Sequence, residues 1–123
     1  MYGLGRNARA IAGYYQSSSD ATGGVDLAWY IQDSATPYTL KSNEVLVITD
    51  VYMQTEDAGE LKLLGANDGL IMAGKYAANG GIDYHPDTPY YMATFSNPSF
   101  VGPATGLKTC IARGFIIKTD AVN

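Results

Sequence analysis

The hydrophobic pattern of this chain is that of strands. Residues Glu44 to Met53 (EVLVITDVYM) contain the run Val45, Leu46, Val47 and Ile48, too short and too rich in β-branched residues for a helix. Such a strand is apolar on both faces. One face can enter a sandwich core, and the other needs a second layer or another subunit. From Thr49 the pattern opens, with Asp50 and Tyr52 on one face and Val51 and Met53 on the other. Val25 to Ile31 alternates throughout: Val25, Leu27, Trp29 and Ile31 point one way, and Asp26, Ala28 and Tyr30 the other. That is a half-buried strand whose largest apolar side chain is Trp29.

Turn residues divide the rest. Pro37 confines Tyr38-Thr39-Leu40 to an edge or a strand start, and Ser42-Asn43 turns the chain into the central run. Glu60 to Leu64 and Leu70 to Tyr76 flank Asp68-Gly69, a strong hairpin signal. Asn79-Gly80-Gly81 turns into a short strand over Ile82 to Tyr84, and Pro86 and Pro89 make His85 to Pro89 a stiff loop. Tyr90 to Phe95 and Leu107 to Lys118 complete the set, with Gly114 marking a bulge or a close backbone approach in the last strand. About eight short strands without a helix predict an all-β antiparallel sandwich or barrel over residues 25–123. Its core is drawn from the Leu27/Trp29 face, the central run and the Ile111/Phe115/Ile117 face.

The first 24 residues have a different texture. Gly3, Gly5, Gly13, Gly23, Gly24 and the run Ser17 to Ser19 favour a flexible arm over 1–24 that orders against a neighbour. A strand over Ala8 to Tyr15, with Ile11 and Tyr15 on one side, is the competing reading.

With 123 residues, the chain is long enough for one core and too short for two. Charged residues are only 16% of the chain, so its surface must be neutral polar, tyrosyl or covered by partners. Ten Tyr against three Phe and one Trp agree, since Tyr carries an apolar body and a wet tip. A net charge of −4 with scattered Lys and Arg argues against nucleic acid. No segment has the length of a membrane span or the core of a signal peptide, which predicts synthesis in a cytoplasm without membrane insertion. Cys110 is alone, so no intrachain disulfide is available.

Candidate chemistry is sparse. Asp83, His85 and Asp87 have metal-ligand types at alternate positions, but one His with two hard carboxylates is a weak set, and a solvated turn accounts for them. Cys110 with His85 would make a nucleophile–base pair only if the thiol left its apolar strand. Glu56, Asp57 and Glu60 read as a solvated acidic turn. Trp29, Tyr30, Tyr90 and Tyr91 permit sugar stacking, although Trp29 falls on the core phase. No enzyme, metal site or cofactor is expected.

A family pattern links these strands. Tyr38-Thr39-Leu40, the long EVLVITDVYM strand, the hairpin GELKLLGANDGLIMAG, the proline-bounded TPYYMATF and the closing Arg113-Gly114-Phe115-Ile116-Ile117 resemble compact jelly-roll modules of the tumour-necrosis-factor and C1q type. They also resemble the related modules that phages carry as capsid decoration proteins. The likeness covers roughly Tyr38 to Lys118. No collagen repeat or cysteine pair is present, which fits the virion form better. The resemblance implies a non-enzymatic jelly-roll homotrimer, made in the host cytoplasm, that binds the major capsid protein and stabilises the shell of the virion. Tyr90, Met92, Val45 and Val47 are then expected at the subunit contact, with Tyr91 and Phe95 in the core, and Arg6, Arg9, Tyr14 and Tyr15 on a capsid-contacting arm. A soluble trimeric ligand- or glycan-binding head, engaging Tyr90 and Tyr91, is the alternative.

Overall fold

The computed structural model describes residues 8–65, 69–92 and 97–118. Among them the regular structure is all strand: β1 (Ala8–Ser17), β2 (Val25–Asp26), β3 (Ala28–Ile31), β4 (Glu44–Thr55), β5 (Gly59–Leu64), β6 (Leu70–Tyr76), β7 (Gly80–Tyr84), β8 (Tyr90–Tyr91), β9 (Ser99–Val101) and β10 (Lys108–Lys118). They form two antiparallel sheets. The first runs β3-β1-β10-β4-β7, with β8 also on β4, and the second runs β2-β9-β5-β6. The sheets close over one apolar cluster that includes Trp29, Met53, Leu61, Leu63 and Phe100. The expected antiparallel β-sandwich is therefore observed.

The central run behaves as its two apolar faces require. β4 lies between β10 and the edge strands β7 and β8. Its register with β10 shifts between Arg113 and Gly114: Gly114 faces Ile48 but Arg113 faces Asp50, leaving Thr49 as the extra residue of a bulge. The bulge changes the inward phase from even to odd positions. Leu46 and Ile48 enter the core on one side of it, and Val51 and Met53 on the other. Val45 and Val47 fall on the outward phase, where Val47 stands between Phe115 of β10 and Tyr91 of β8.

Val25 to Ile31 keeps its predicted phase while changing sheets. β2 pairs with β9 in one sheet and β3 with β1 in the other, with Leu27 between them. Leu27 and Trp29 are buried, and Val25 and Ile31 pack against the same cluster. The Trp29 indole N–H donates to Asn97 Oδ1 at 2.7 Å, which satisfies its one polar atom inside the core.

The arm expected over residues 1–24 is corrected where the chain is described. Ala8–Ser17 is an internal strand that pairs with β10 along its whole length and with β3 on its other edge. Ile11 is buried and Tyr15 packs tilted against Phe100, with ring centroids 5.6 Å apart, so Tyr15 is a core contact rather than part of a free arm. The glycine at position 13 has a packing cause. A Cβ there would come within 2.7 Å of the Trp29 ring, so only Gly lets the indole lie across the strand. The segment after β1 is also tied down, since the buried Lys108 donates from Nζ to the Ser19 carbonyl. Arg6 lies outside the described residues.

The other boundaries differ in detail. Tyr38-Thr39-Leu40 is not a strand, although the Tyr38 amide donates to the Trp29 carbonyl at 2.7 Å. β5 and β6 form the predicted hairpin, closed by the Gly65 amide on the Gly69 carbonyl at 2.7 Å. The turn residues 66–68 lie outside the described residues. β8 covers only Tyr90–Tyr91 of the expected strand, and Phe95 is likewise not described.

Two tests follow. Deleting residues 1–17 removes a strand that holds β3 to β10, and the truncated chain should show no cooperative thermal melt; a retained sharp transition would return the segment to an arm. A Cβ at Gly114 would overlap the Val47 carbonyl oxygen, a backbone group that cannot swing aside. Gly114→Ala should therefore cost roughly 3 kcal/mol in a denaturant titration, by forcing the bulge open.

Candidate interaction face and its cleft

The outward surface of the first sheet is the least ordinary part of the molecule. The Ile111/Phe115/Ile117 set expected in the core is the outward set of β10, because Cys110, Ala112 and Ile116 take the inward phase. At one end the surface carries Val45 of β4, Phe115 and Ile117 of β10, and Tyr91 of β8, brought together by register. Val45, Phe115 and Ile117 are half-buried, and Tyr91 is 57% exposed. No ionisable carboxylate or amine stands among these four. At the other end Tyr52 faces Ile111, which in turn faces Tyr14 of β1. Tyr14 is exposed, and its hydroxyl donates to Gln16 Oε1 at 3.0 Å.

The expected subunit-contact residues divide between the two faces. Val45 and Val47 lie on the outward side, Val47 fully covered by its own chain. Met92 is buried in the core cluster and Tyr90 packs against it, so both point away from the outward face. The expected phase of this strand is reversed: Tyr91 is the outward residue. Phe95, lacking a polar tip, suggests the inward phase for itself and for Tyr91. Pairing with β4 decides otherwise, because Tyr90 stands opposite the inward-pointing Ile48 and Tyr91 opposite Val47.

Between the two apolar ends lies a cleft of about 490 Å³. Its lining includes Ala10 and Ala12 of β1, Gly114 and Arg113 of β10, Thr49 and Asp50 at the bulge, and Tyr30 with the following 31–34 segment. Small residues on β1 and β10 leave the trough; Tyr30, Arg113 and Asp50 stand around it. Asp33 turns the chain at its rim with a φ of 65°, a conformation Asp accepts more readily than most residues.

Asp50 is the electrostatic centre of this region. Its Oδ1 is bonded by His85 Nδ1, and its Oδ2 lies 3.1 Å from the Thr49 hydroxyl. The His85 bond, the Thr49 hydroxyl and the positive potential of Arg113 hold the Asp50 carboxyl below the usual carboxylate range against some desolvation. His85 Nε2 lies 3.5 Å from Asp83 Oδ1, so each ring nitrogen faces a carboxylate. The bond to Asp50 first, then its charge and that of Asp83, push the imidazole above its ordinary value. Arg113 is exposed and makes no ion pair among the described residues.

The alternating set Asp83, His85 and Asp87, weak as ligands by type, is not what the fold brings together. His85 joins Asp83 to Asp50, a residue 35 positions away, and Asp87 takes no part. No three His, Cys, Asp or Glu side chains among the described residues are grouped to hold a metal ion. Cys110 is buried on the inward phase of β10, and burial pushes its thiol up to about 12. It carries essentially no thiolate near neutrality and lies on the face opposite His85. The acidic turn is structural: Glu56 Oε1 accepts the Leu107 amide at 3.1 Å, Asp57 Oδ2 accepts the Thr105 hydroxyl at 2.6 Å, and Glu60 pairs with Lys62 at 3.4 Å.

Arg9, expected to contact a capsid, lies over the Tyr38 ring at 5.7 Å, as does Lys41 from its own side. The Tyr38 hydroxyl donates to the buried Glu44 carboxylate at 2.5 Å, and the Lys41 amide donates to the same group at 2.9 Å. Burial, and then that bond, raise the Tyr38 hydroxyl to about 12. The cluster closes one end of the sandwich.

Asp50 and Arg113 were not picked out as chemical residues from sequence, and Tyr30 was picked out only as one of four rings that permit sugar stacking. The available signal was Asp50 itself, one acid interrupting an apolar strand; its partners come from three other segments and leave no spacing to read. No family model, curated protein or solved structure matches this chain.

The His85–Asp50 pair fixes a pH response. The raised imidazole contributes stability that is complete below its ordinary value of 6.5 and is lost as pH rises through the raised value. The lowered carboxyl contributes stability that is present above 3.8 and is lost as pH falls through the lowered value. The pair is therefore worth most between those two ordinary values, and little in total, since the imidazole is exposed to water. A proton-detected titration should place His85 above 6.5, and Asp50→Asn should bring it back; an unshifted His85 in the native chain would show that the pair does not form in solution.

Proposed function

We propose that this chain is a non-enzymatic virion protein, a jelly-roll module that trimerises and reinforces a capsid from its outer surface. The observation that carries the proposal is the uncharged outward patch of Val45, Phe115, Ile117 and Tyr91 on a protein otherwise poor in charge. An apolar sheet face of this kind is normally covered by another chain. The strand order β3-β1-β10-β4-β7 over β2-β9-β5-β6, with successive elements exchanged between sheets, supports the jelly-roll reading. A protein of this type works by burying area across a subunit boundary, so its function is binding free energy spread over a surface.

The subunit contact is assigned to Val45, Phe115, Ile117 and Tyr91. Light scattering on the purified chain at micromolar concentration should give three times 13.1 kDa, and a monomer would sink the trimer reading. Tyr91→Asp places a charge on an exposed side chain and, near a threefold axis, places three; it should dissociate the trimer and leave the monomer folded. Met92→Ala should act in the opposite way, costing roughly 2–5 kcal/mol of fold stability through a core cavity. Images of the native assembly test the capsid role: the chain should appear on the outer shell, and its absence there would refute it.

A further inference from the structure

The cleft beside the bulge has a chemistry of its own, apart from the apolar patch. We propose that it is a binding site for a neutral polyhydroxylated ring, that is, a sugar of one or two units. Its volume of about 490 Å³ lies within the range of small-molecule sites. Its floor is made of small side chains, Ala10 and Ala12, together with Gly114. This floor cannot hydrogen-bond through side chains and suits the C–H face of a ring. Tyr30, on the outward phase of β3, supplies the aromatic part of the lining.

The charges decide which ligand fits. Asp33 and Asp50 line the cleft with Arg113, so both signs are present in one small space. An anion would meet two carboxylates, and a cation would meet the guanidinium. A neutral ligand carrying both donors and acceptors opposes neither. Hydroxyl groups can donate to Asp50 and accept from Arg113 at once, and charged partners make such bonds stronger than neutral ones. Asp50 is also pre-positioned, with one oxygen held by His85 and the other beside the Thr49 hydroxyl, so little side-chain ordering remains to be done on binding. Among the described residues Arg113 has no ion pair to give up.

This site keeps Tyr30 of the sugar platform suggested by sequence and none of its other rings. Trp29 is buried and Tyr90 packs on the core, so neither can stack on a ligand. Tyr91 is exposed, but belongs to the apolar end of the face.

Amide spectra of the full-length chain, titrated with glucose, galactose, N-acetylglucosamine, maltose and lactose, test the proposal. At least one should give saturable shifts centred on residues 30–34, 49–50 and 113–114. Tyr30→Ala, Asp50→Asn and Arg113→Gln should each weaken that binding about tenfold, the effect of losing one good polar or stacking contact. Tyr91→Ala should leave it unchanged. Citrate and lysine serve as charged probes. If either binds there and no sugar does, the ligand class is wrong. Absence of shifts with every sugar, or shifts that survive Tyr30→Ala, would also overturn the proposal. Sedimentation of the same samples reports the oligomeric state separately, so failure of the trimer and failure of the sugar site can be told apart.

Discussion

The pairing of β4 with β10, and the single extra residue within it, is the constraint on which the rest of this structure depends. Eleven register partners join the two strands, more than for any other pair in the fold. The bulge at Thr49 allows both strands to run through the whole sandwich while their inward sets stay in the core. Without it, strict alternation from Leu46 and Ile48 would bury Asp50 and Tyr52 and expel Val51 and Met53. The same bulge turns Asp50 outward beside Arg113, where His85 can reach it. One local irregularity thus sets the core phase and assembles the only cluster of opposed charges on that face among the described residues.

This arrangement also shows where the sequence could be read and where it could not. The phase of Val25 to Ile31 was legible because period-2 alternation survives a change of sheet: Leu27 moves between layers and still points inward. The bulge was half legible, since Gly114 marked its site and the changed pattern after Thr49 marked its effect. The first strand was only half legible: Ile11 and Tyr15 share a side as a strand requires, but its Gly and Ser content favours an arm. Gly13 is there so that a Trp ring can cross the strand, a requirement that appears only once Trp29 is known to lie opposite. The facing of Tyr90 to Met92 was misread for a related reason. Polarity of the tips suggested one phase, but the partner strand determined the other.

The outward cleft was invisible for a different physical reason. Its residues come from β1, the segment after β3, the bulge and β10, and none is unusual in its own neighbourhood. Alanines on a strand look like weak strand formers until a Tyr and an Arg are found on either side of them. By contrast, the groups that seemed chemical by type, such as Cys110 and the Glu56-Asp57 turn, are occupied by burial or by loop hydrogen bonds. Residue type identified candidates, and only the pairing of strands said which were available.

The position of β1 beside β10 has a consequence for how the chain reaches this state. Ala8 is the register partner of Ile117, so the earliest described residues sit against the last. During synthesis, β1 and β4 emerge long before the strand that belongs between them, and the first sheet stays in two halves until residues 108–118 leave the ribosome. A pairing of such sequence separation carries a large loop-closure entropy and forms slowly. Until then the Val45–Ile48 run has lost its principal neighbour and presents unpaired backbone on one edge, the condition under which strands join the wrong chain. The arrival of residues 108–118 thus decides whether the strands made before them fold or aggregate.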